Sequence, residues 1–323
     1  MKAIRFHEQG GPEVLRLEDL EVSLPGPGEA QVRHHACGLN FIDVYQRSGL
    51  YSVPLPSGLG LEGAGVVEAV GEGVTLVKPG DRVAYAGGPL GAYSTVRNLP
   101  ADRLCLLPEA LSFEQGASMM LKGMTVQYLI RRTYPVKPGD TVLFHAASGG
   151  VGLIACQWLE TLGVTVIGTA GSDEKCELAK QHGATHCINY RTENFVERVR
   201  EITGGKGVPV VFDSVGKDTF LESLDCLSPR GMMVSYGNAS GPIPPFDIGL
   251  LSQKGSLFLT RPSLFHYVAT RQDLEATSRE LFDMVVGGKV KIKVEQRYAL
   301  ADAVQAHRDM EARKTTGASV LIP

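Results

Sequence analysis

The segment that most constrains the fold of this chain is Ala146 to Gly152, which reads AASGGVG. It joins a strand-like run, Thr141 to His145, to a helix-like run that begins near Leu153. Glycines in such a turn let a strand pass sharply into a helix whose first N–H groups face a phosphate. The standard dinucleotide fingerprint is GxGxxG, whereas this chain has AxGxxG with Ala147 in the first place. The turn therefore indicates a nucleotide site; a simple tight turn between a buried strand and helix is the alternative.

The size and charge of the chain favour a two-domain protein and leave small neutral or anionic ligands open. At 323 residues it is long for a single hydrophobic core, and 43% apolar with 21% charged residues is typical of a globular protein. The net charge of −3 gives no general attraction to nucleic acid or to an anionic membrane. We therefore expect neither as a partner.

The compartment expected from the sequence is the cytoplasm. The stretch Met1 to Glu8 carries charge throughout and lacks the apolar core of a signal peptide. The uncharged stretch Thr141 to Leu159 contains three glycines and polar residues, so it predicts a buried strand, turn and helix rather than a membrane span. Six cysteines occur without a CxxC pair, which is typical of free thiols in a reducing compartment.

The first 120 residues predict a compact, mostly antiparallel β domain. Short β-like runs alternate there with Gly and Pro, and this rhythm is typical of hairpins and turns. The predicted strands are Lys2 to Phe6, Val14 to Leu17, Gln31 to Ala36, Gly65 to Val70, Arg82 to Ala86 and Ala92 to Val96.

From about residue 122 the pattern changes to alternating strands and helices, which builds a parallel, doubly wound sheet. The predicted strands are Thr141 to His145, Val164 to Gly168, His186 to Ile188, Val208 to Phe212, Met232 to Ser235 and Ser256 to Leu259, with a helix at Asn194 to Ile202 among the connections. The last part of the chain predicts a helix at Asp273 to Val286, a strand at Val290 to Gln296, a helix at Ala301 to Arg313 and a strand at Ala318 to Ile322. We interpret the alternating Lys289, Lys291 and Lys293 as the solvated face of that first strand.

The second strand of this sheet favours NADPH over NADH. An NAD site uses an acidic residue about 20 positions beyond the glycines to bind the ribose 2′-hydroxyl. Here the strand ends in Gly168 to Ser172 without an acid, and Lys175 follows shortly after. A serine hydroxyl, helix N–H groups and a lysine suit a 2′-phosphate. In the alternative, Asp173 and Glu174 only complement the helix dipole and Lys175 is solvated.

Several motifs resemble the zinc-free NADPH:quinone oxidoreductases, the ζ-crystallin-like group of the medium-chain dehydrogenases and reductases, and especially its bacterial members. They are NFID at Asn40 to Asp43, RSGLY at Arg47 to Tyr51, DSVG at Asp213 to Gly216 and TRPSL at Thr260 to Leu264. The resemblance covers nearly the whole chain. It implies an α/β protein with a Rossmann doubly wound parallel sheet and a GroES-like, mostly antiparallel β domain. The expected parts are a GroES-like catalytic domain at 1–121, an NADPH-binding Rossmann domain at 122–262 and a C-terminal part at 263–323 that returns to the catalytic domain.

Two zinc-ligand positions of the related metal-dependent enzymes are altered. Those enzymes use a Cys, a His in a GHE sequence and a later Cys to hold Zn²⁺. The first position falls on Asn40, and the GHE position reads Gly60-Leu61-Glu62. Cys37 lies three residues before the ligand place, and we interpret it as a small buried residue. We expect no metal.

A metal-free reductase needs a substrate that accepts electrons easily, and quinones do, because their carbonyls are conjugated and the product is aromatic. The resemblance places Asn40, Tyr45 and Tyr51 near the quinone, where an amide and two phenols would hydrogen-bond its oxygen. Packing with a satisfied hydroxyl is the alternative for each tyrosine, and Asn40 is also a candidate for the cofactor. No residue has the signature of a general base, and water can supply the protons.

The resemblance also implies contacts to NADPH. Those expected at the pyrophosphate or nicotinamide end and at later strand ends are Asn40, Thr125, Gly149, Gly150, Val151, Ser214, Gly237, Asn238, Ser240 and Arg261. Those expected around the 2′-phosphate are Gly171, Ser172, Lys175 and Tyr190, with Arg313 as a further phosphate ligand. For Arg313, complementation of the helix dipole is the alternative.

Three functions stay open at this point. The first is NADPH-dependent reduction of a small-molecule quinone by direct transfer from the nicotinamide; the second is reduction of activated C=C bonds in enones, as related zinc-free members perform. The third is a crystallin-like or RNA-binding role without catalysis, against which the glycine turn and the absence of a basic stripe argue. The resemblance implies a homodimer that pairs edge strands between Ser235 and Leu259.

Overall fold

The computed structural model describes all 323 residues, Met1 to Pro323, and the chain folds into two compact units. The first unit comprises Met1–Met124, Val268–Val286 and Ile292–Pro323; the second comprises Thr125–Tyr267 and Gly287–Lys291.

Sixteen strands and ten α-helices make up the two units. The strands are β1 (Lys2–Phe6), β2 (Arg16–Asp19), β3 (Glu29–Gly38), β4 (Ser57–Gly58), β5 (Glu62–Val70), β6 (Arg82–Ala86), β7 (Val96–Pro100), β8 (Cys105–Leu106), β9 (Thr141–Phe144), β10 (Thr165–Ala170), β11 (His186–Asn189), β12 (Val208–Asp213), β13 (Leu227–Ser235), β14 (Phe258–Thr260), β15 (Val294–Ala299) and β16 (Ala318–Ile322). The helices are α1 (Phe41–Ser48), α2 (Phe113–Tyr128), α3 (Gly150–Thr161), α4 (Asp173–Gln181), α5 (Phe195–Ile202), α6 (Phe220–Asp225), α7 (Gly249–Gln253), α8 (Leu264–Tyr267), α9 (Arg271–Val286) and α10 (Ala303–Glu311). None of these helices combines the length and the hydropathy that a membrane-spanning segment needs.

The first unit contains a mostly antiparallel β structure. One sheet has the order β2-β1-β4, and the larger one has the order β15-β16-β3-β5-β6-β8, with β7 also paired to β3. Only β15 and β16 run parallel; every other pairing in the unit is antiparallel. Alternate residues of β3 are buried, as a strand with one face on a core requires. Through β16, the end of the chain pairs with β3, where Val320 is opposite Gly38.

The second unit is built on a six-stranded parallel sheet with the order β11-β10-β9-β12-β13-β14. Its central strands are apolar runs buried on both faces, such as Val142 to Phe144, because helices cover both sides of a sheet of this kind. The chain builds outward from β9 to β11 and then returns to start again at β12. The strand order therefore reverses between β9 and β12, and ligands of such sheets bind beside the carboxyl ends at that point. The fold class expected from the sequence is confirmed.

Some predicted elements differ from those observed. Pro12 begins a short 3-10 turn, so β2 starts at Arg16 rather than Val14, and the strand predicted at Ala92 to Val96 begins only at Val96. Helix α3 begins at Gly150, three residues before the predicted start.

The strand predicted at Val290 to Gln296 is wrong in its first half, since β15 begins at Val294. The backbone N–H of Lys291 donates to Gln157 Oε1 over 2.8 Å, and the carbonyl of Lys291 accepts from Gln157 Nε2 over 3.2 Å. A side chain of α3 thus takes the bonds that a neighbouring strand would make. Lys289, Lys291 and Lys293 are exposed, but they lie outside any strand.

Candidate active site

The carboxyl ends of the six parallel strands carry most of the residues expected to bind the cofactor. These are Gly149, Gly150 and Val151 after β9, Gly171 and Ser172 after β10, Tyr190 after β11, Ser214 after β12, Gly237, Asn238 and Ser240 after β13, and Arg261 after β14. Lys175 lies in the first turn of α4, and Thr125 is a buried residue of α2. The structure therefore brings the residues that follow the strands to the edge of the sheet where ligands of this fold bind.

The turn between β9 and α3 is closely packed. Ala146 has a φ of 54°, in the left-handed region, and Gly149 is the N-cap of α3 without a side-chain cap. A Cβ on Gly152 would lie 2.4 Å from the carbonyl oxygen of Ala146 and 2.6 Å from Cα of Ala147, so only glycine fits there. Because the first N–H groups of a helix have no intrahelical acceptor, this turn can hold a phosphate.

The end of β10 carries polar groups that suit an additional phosphate. Ser172 is the N-cap of α4, and its Oγ accepts from the backbone N–H of Lys175 over 3.3 Å. The carboxylate of Asp173 accepts from Asn189 Nδ2 over 2.8 Å. A Cβ on Gly171 would lie 2.6 Å from the hydroxyl oxygen of Tyr190, so Tyr190 closes over this glycine. Of the two acids that follow β10, Asp173 is therefore already hydrogen-bonded to Asn189.

A buried carboxylate orders the loop after β12. Asp213 Oδ1 accepts from the backbone N–H groups of Val215 (2.6 Å) and Gly216 (3.2 Å), and Oδ2 accepts from the Thr219 hydroxyl (2.8 Å). The Ser240 hydroxyl donates to the carbonyl of Val215 over 2.9 Å. Asp213 therefore fixes the backbone that follows Ser214.

Arg261 joins the ends of β13 and β14. Its guanidinium donates to Ser235 Oγ over 3.2 Å and to the carbonyl of Gly237 over 2.9 Å. With the Asn238 amide oriented to satisfy both of its ends, its oxygen accepts from Arg261 over 3.0 Å. Some of the N–H groups of Arg261 thus hold the ends of β13 and β14 in place.

In the first unit, Asn40 is held at the start of α1. Its backbone N–H donates to Asp43 Oδ2 over 2.8 Å, and its side-chain Nδ2 donates to Glu62 Oε2 over 2.8 Å. Tyr45 is buried on the same helix and contacts the half-buried Tyr51 edge-on, with 5.3 Å between ring centroids. The three residues expected near the quinone therefore lie at the N-cap of α1, within α1 and in the segment after it.

Arg313 belongs to the first unit, where it is exposed after α10 with a φ of 58°. The other residues expected around the cofactor phosphates belong to the second unit. A role for Arg313 stays a prediction.

A buried ion pair, Glu62 with Lys122, was not predicted from the sequence. Glu62 is fully buried, and its carboxylate accepts from the backbone N–H of Leu121 (2.8 Å), from Lys122 Nζ (3.2 Å) and from Asn40. The residues of the pair are 60 positions apart in the chain, so no local spacing joins them. One feature of the sequence could have indicated this pair: Lys122 is the one charged residue in the mostly apolar run Ala117 to Met124. A lysine buried in such a run needs an acidic partner.

A second buried network lies behind Asn40. Arg47 can only donate, so His307 Nδ1 accepts from it (3.1 Å) and His307 Nε2 donates to the Tyr93 hydroxyl (3.2 Å), which in turn donates to Asp43 Oδ2 (2.8 Å). Burial raises the pKa of Asp43 to about 7 and lowers the pKa of His307 to about 3. The network fixes the carboxylate that caps α1, and thereby the backbone of Asn40.

Residues 26–109 match the family model described as "Alcohol dehydrogenase GroES-like domain", and residues 150–283 match the one described as "Zinc-binding dehydrogenase". The chain is 57% identical to a quinone oxidoreductase of Pseudomonas aeruginosa, covering 100% of this chain and 99% of that protein. The crystal structure of Escherichia coli quinone oxidoreductase complexed with NADPH superposes with a TM-score of 0.99 at 54% identity, covering 100% of both chains. The chain belongs to the quinone oxidoreductase family. A 2-haloacrylate reductase of a Burkholderia species is also similar, with 48% identity over 98% of both chains.

One of the family models that this chain matches mentions zinc in its description, while the chain has Asn40 and Leu61 where the resemblance places two zinc ligands. No three His, Cys, Asp or Glu side chains come together in a way that could hold a metal ion. At the first of the two altered positions, the side-chain amide of Asn40 donates to Glu62, which is paired with Lys122. Metal-free catalysis stays a prediction.

Proposed function

We propose that this protein reduces quinones with NADPH, by direct transfer from the nicotinamide to the bound quinone and without a metal. The observation that carries the proposal is its full-length similarity, in sequence and in fold, to quinone oxidoreductases that include an NADPH complex. The arrangement of polar groups at the strand ends supports the choice of cofactor.

The residues at the strand ends fit NADPH. The N-terminus of α3 would hold the pyrophosphate, because its N–H groups are free of intrahelical acceptors. Gly171, Ser172, Lys175 and Tyr190 would surround the 2′-phosphate. When bound, NADPH supplies a hydride, and NADP⁺ is left. The N-terminus of α3 and the residues that follow β10 would orient the bound cofactor.

The quinone end of the proposed site is Asn40, Tyr45 and Tyr51. A quinone needs alignment with the nicotinamide and hydrogen-bond donors to its oxygen rather than a Lewis acid. Asn40 is suited to position the quinone, because Asp43 holds its backbone N–H and Glu62 holds its side-chain amide. Water supplies the one proton that, together with the transferred hydride, completes the hydroquinone.

The test is steady-state NADPH oxidation with a panel of quinones and a panel of enones. We expect turnover with quinones, tighter binding of NADPH than of NADH in titrations, and no loss of activity after dialysis against a chelator. Equal or tighter NADH binding would contradict the assignment of the 2′-phosphate site. Inactivation by the chelator, reversed by added Zn²⁺, would contradict metal-free catalysis.

A second candidate function is reduction of an activated C=C bond. It is favoured by the similarity to the Burkholderia 2-haloacrylate reductase. Both reactions start with hydride transfer to a conjugated system that places charge on an oxygen. Activity restricted to enones or haloacrylates, with no turnover of quinones, would select this function over the first.

Two further properties are proposed with the activity. The cytoplasm is supported by six free thiols, typical of proteins in a reducing compartment. A homodimer is supported by the exposed apolar edge strand β14.

A further inference from the structure

The feature that carries a further inference is the ammonium group of Lys122. Its side chain is only 7% exposed, and its Nζ has one acceptor, Glu62 Oε2 at 3.2 Å. An ammonium carries three donors, so two N–H bonds of Lys122 have no acceptor within the protein. A buried donor without an acceptor costs free energy. The ammonium is therefore poised to bind an acceptor from outside the chain.

The surroundings of Lys122 restrict where that acceptor lies. Asn40 Nδ2 donates to the same oxygen, Glu62 Oε2, over 2.8 Å, so Nζ and Nδ2 are no more than about 6 Å apart. Glu62 also accepts from the backbone of Leu121 through Oε1, so both oxygens of its carboxylate are hydrogen-bonded. An acceptor that approaches the amide of Asn40 thus also comes near Lys122.

The charge balance favours a partner that becomes negative only during reaction. Glu62 already neutralises the ammonium, so a permanently anionic ligand would meet a carboxylate nearby as well as a cation. A neutral carbonyl oxygen accepts a hydrogen bond at little cost, and the bond strengthens as charge develops on the oxygen. A quinone carbonyl has this chemistry.

We propose that Lys122 is a catalytic residue that donates a hydrogen bond to the quinone oxygen on which negative charge develops. The inference rests on the proposed quinone reductase function. A hydride with its electron pair passes from NADPH to the quinone, NADP⁺ is left, and the oxygen beside Lys122 carries the charge. A proton from water then completes the hydroquinone, and Lys122 acts only as a hydrogen-bond donor.

The test compares Lys122→Met with the double variant Glu62→Gln/Lys122→Met. The single variant leaves a buried carboxylate unpaired and is expected to lose stability, whereas the double variant restores neutrality and keeps an acceptor for Asn40. We expect kcat/KM for quinones to fall about 100-fold in both, as when one oxyanion donor is removed. NADPH affinity should stay unchanged, and Lys122→Arg should recover part of the activity.

The loss should also depend on the substrate. Quinones of lower reduction potential need more stabilisation of the developing charge, so their kcat/KM should fall further than that of easily reduced quinones. Lys254→Met, which removes a lysine paired with Asp225, is the control and should leave the whole series unchanged.

Two results would overturn the inference. One is wild-type kcat/KM in the folded double variant, which would make Lys122 a structural partner of Glu62 only. The other is a loss confined to NADPH affinity, which would assign Lys122 to the cofactor. Failure of the wild-type protein itself to reduce any quinone would instead contradict the proposed function, so the two failures are distinguishable.

Discussion

At the scale of single residues, the choice between NADPH and NADH depends on the end of β10. Lys175 follows the N-cap Ser172 in the first turn of α4, where a cation and helix N–H groups together suit a phosphate. We predict that Lys175→Ala weakens NADPH binding about 10- to 100-fold, the value of one charge-assisted hydrogen bond, and leaves NADH binding unchanged. Fluorescence titration of both cofactors measures this.

Lys180 provides the matched control for that variant. It lies on the same helix and pairs with Glu177 over 2.8 Å. Lys180→Ala should leave both affinities unchanged. If Lys175→Ala weakens NADPH and NADH equally, the side chain does not recognise the 2′-phosphate.

The network of Asp43, Tyr93 and His307 predicts two opposing contributions to the pH dependence of stability. Burial lowers the pKa of His307 from 6.5 to about 3, so in that range the unfolded chain binds the extra proton and acidification destabilises the protein. Burial raises the pKa of Asp43 from 3.8 to about 7, so in that range the folded chain binds the extra proton and acidification stabilises the protein. Where the pH ranges of the two groups overlap, each changes the free energy of unfolding by about 1.4 kcal/mol per pH unit, with opposite sign.

Single variants separate these contributions. His307→Gln should lose less stability than the wild type between about pH 6 and pH 4.5, and Asp43→Asn should lose more. Urea unfolding at several pH values gives the slopes. The groups that face Asp43 are Tyr93, Lys122 and Glu62, all of which both variants retain. Parallel slopes in all three proteins would show that neither group titrates as described.

At the scale of elements, the packing of α3 against β9 depends on Gly152. Its Cβ position lies 2.4 Å from a backbone oxygen, which no rotamer change relieves. We predict that Gly152→Ala lowers the free energy of unfolding by about 1–3 kcal/mol and weakens NADPH binding, because the start of α3 must move. Urea unfolding and NADPH titration measure the two effects.

Gly249→Ala at the start of α7 is the control, since the nearest atoms to its Cβ belong to the flexible side chain of Asp247 at 3.1 Å. It should change neither quantity. A Gly152→Ala variant with wild-type stability and affinity would mean that the turn tolerates a side chain.

The elements themselves were predictable where one local signal dominated. The strands Lys2–Phe6, Arg82–Ala86 and Ala318–Ile322 have the predicted bounds. Asn194 caps α5, because its side-chain oxygen accepts from the backbone N–H groups of Val196 and Glu197. The segment around Lys291 was predicted wrongly, because its alternation of charged and apolar residues also suits an extended segment held by Gln157. A distant side chain decided that structure.

At the scale of the whole molecule, the sites differ in how far they can be predicted. The strand ends of a parallel sheet come together by topology, so most of the residues that the resemblance implies for the cofactor lie at one edge of the sheet. Glu62 and Lys122 meet through tertiary folding alone, and so do Tyr93 and His307, which are 214 positions apart. No periodicity or spacing encodes such contacts, so the sequence indicated the nucleotide site better than the groups around Asn40.

The last prediction concerns assembly. The edge strand β14 exposes Phe258 (59%) and Leu259 (37%), and an open edge with apolar side chains pairs readily with a second copy across a twofold axis. We predict that the wild type is a dimer in sedimentation velocity and that Phe258→Asp/Leu259→Asp is a monomer, because four carboxylates would be buried in the interface. Leu24→Asp, at a residue 84% exposed in the first unit, should stay dimeric. A dimer that survives the double substitution would place the interface elsewhere, and a monomeric wild type would leave β14 a free edge.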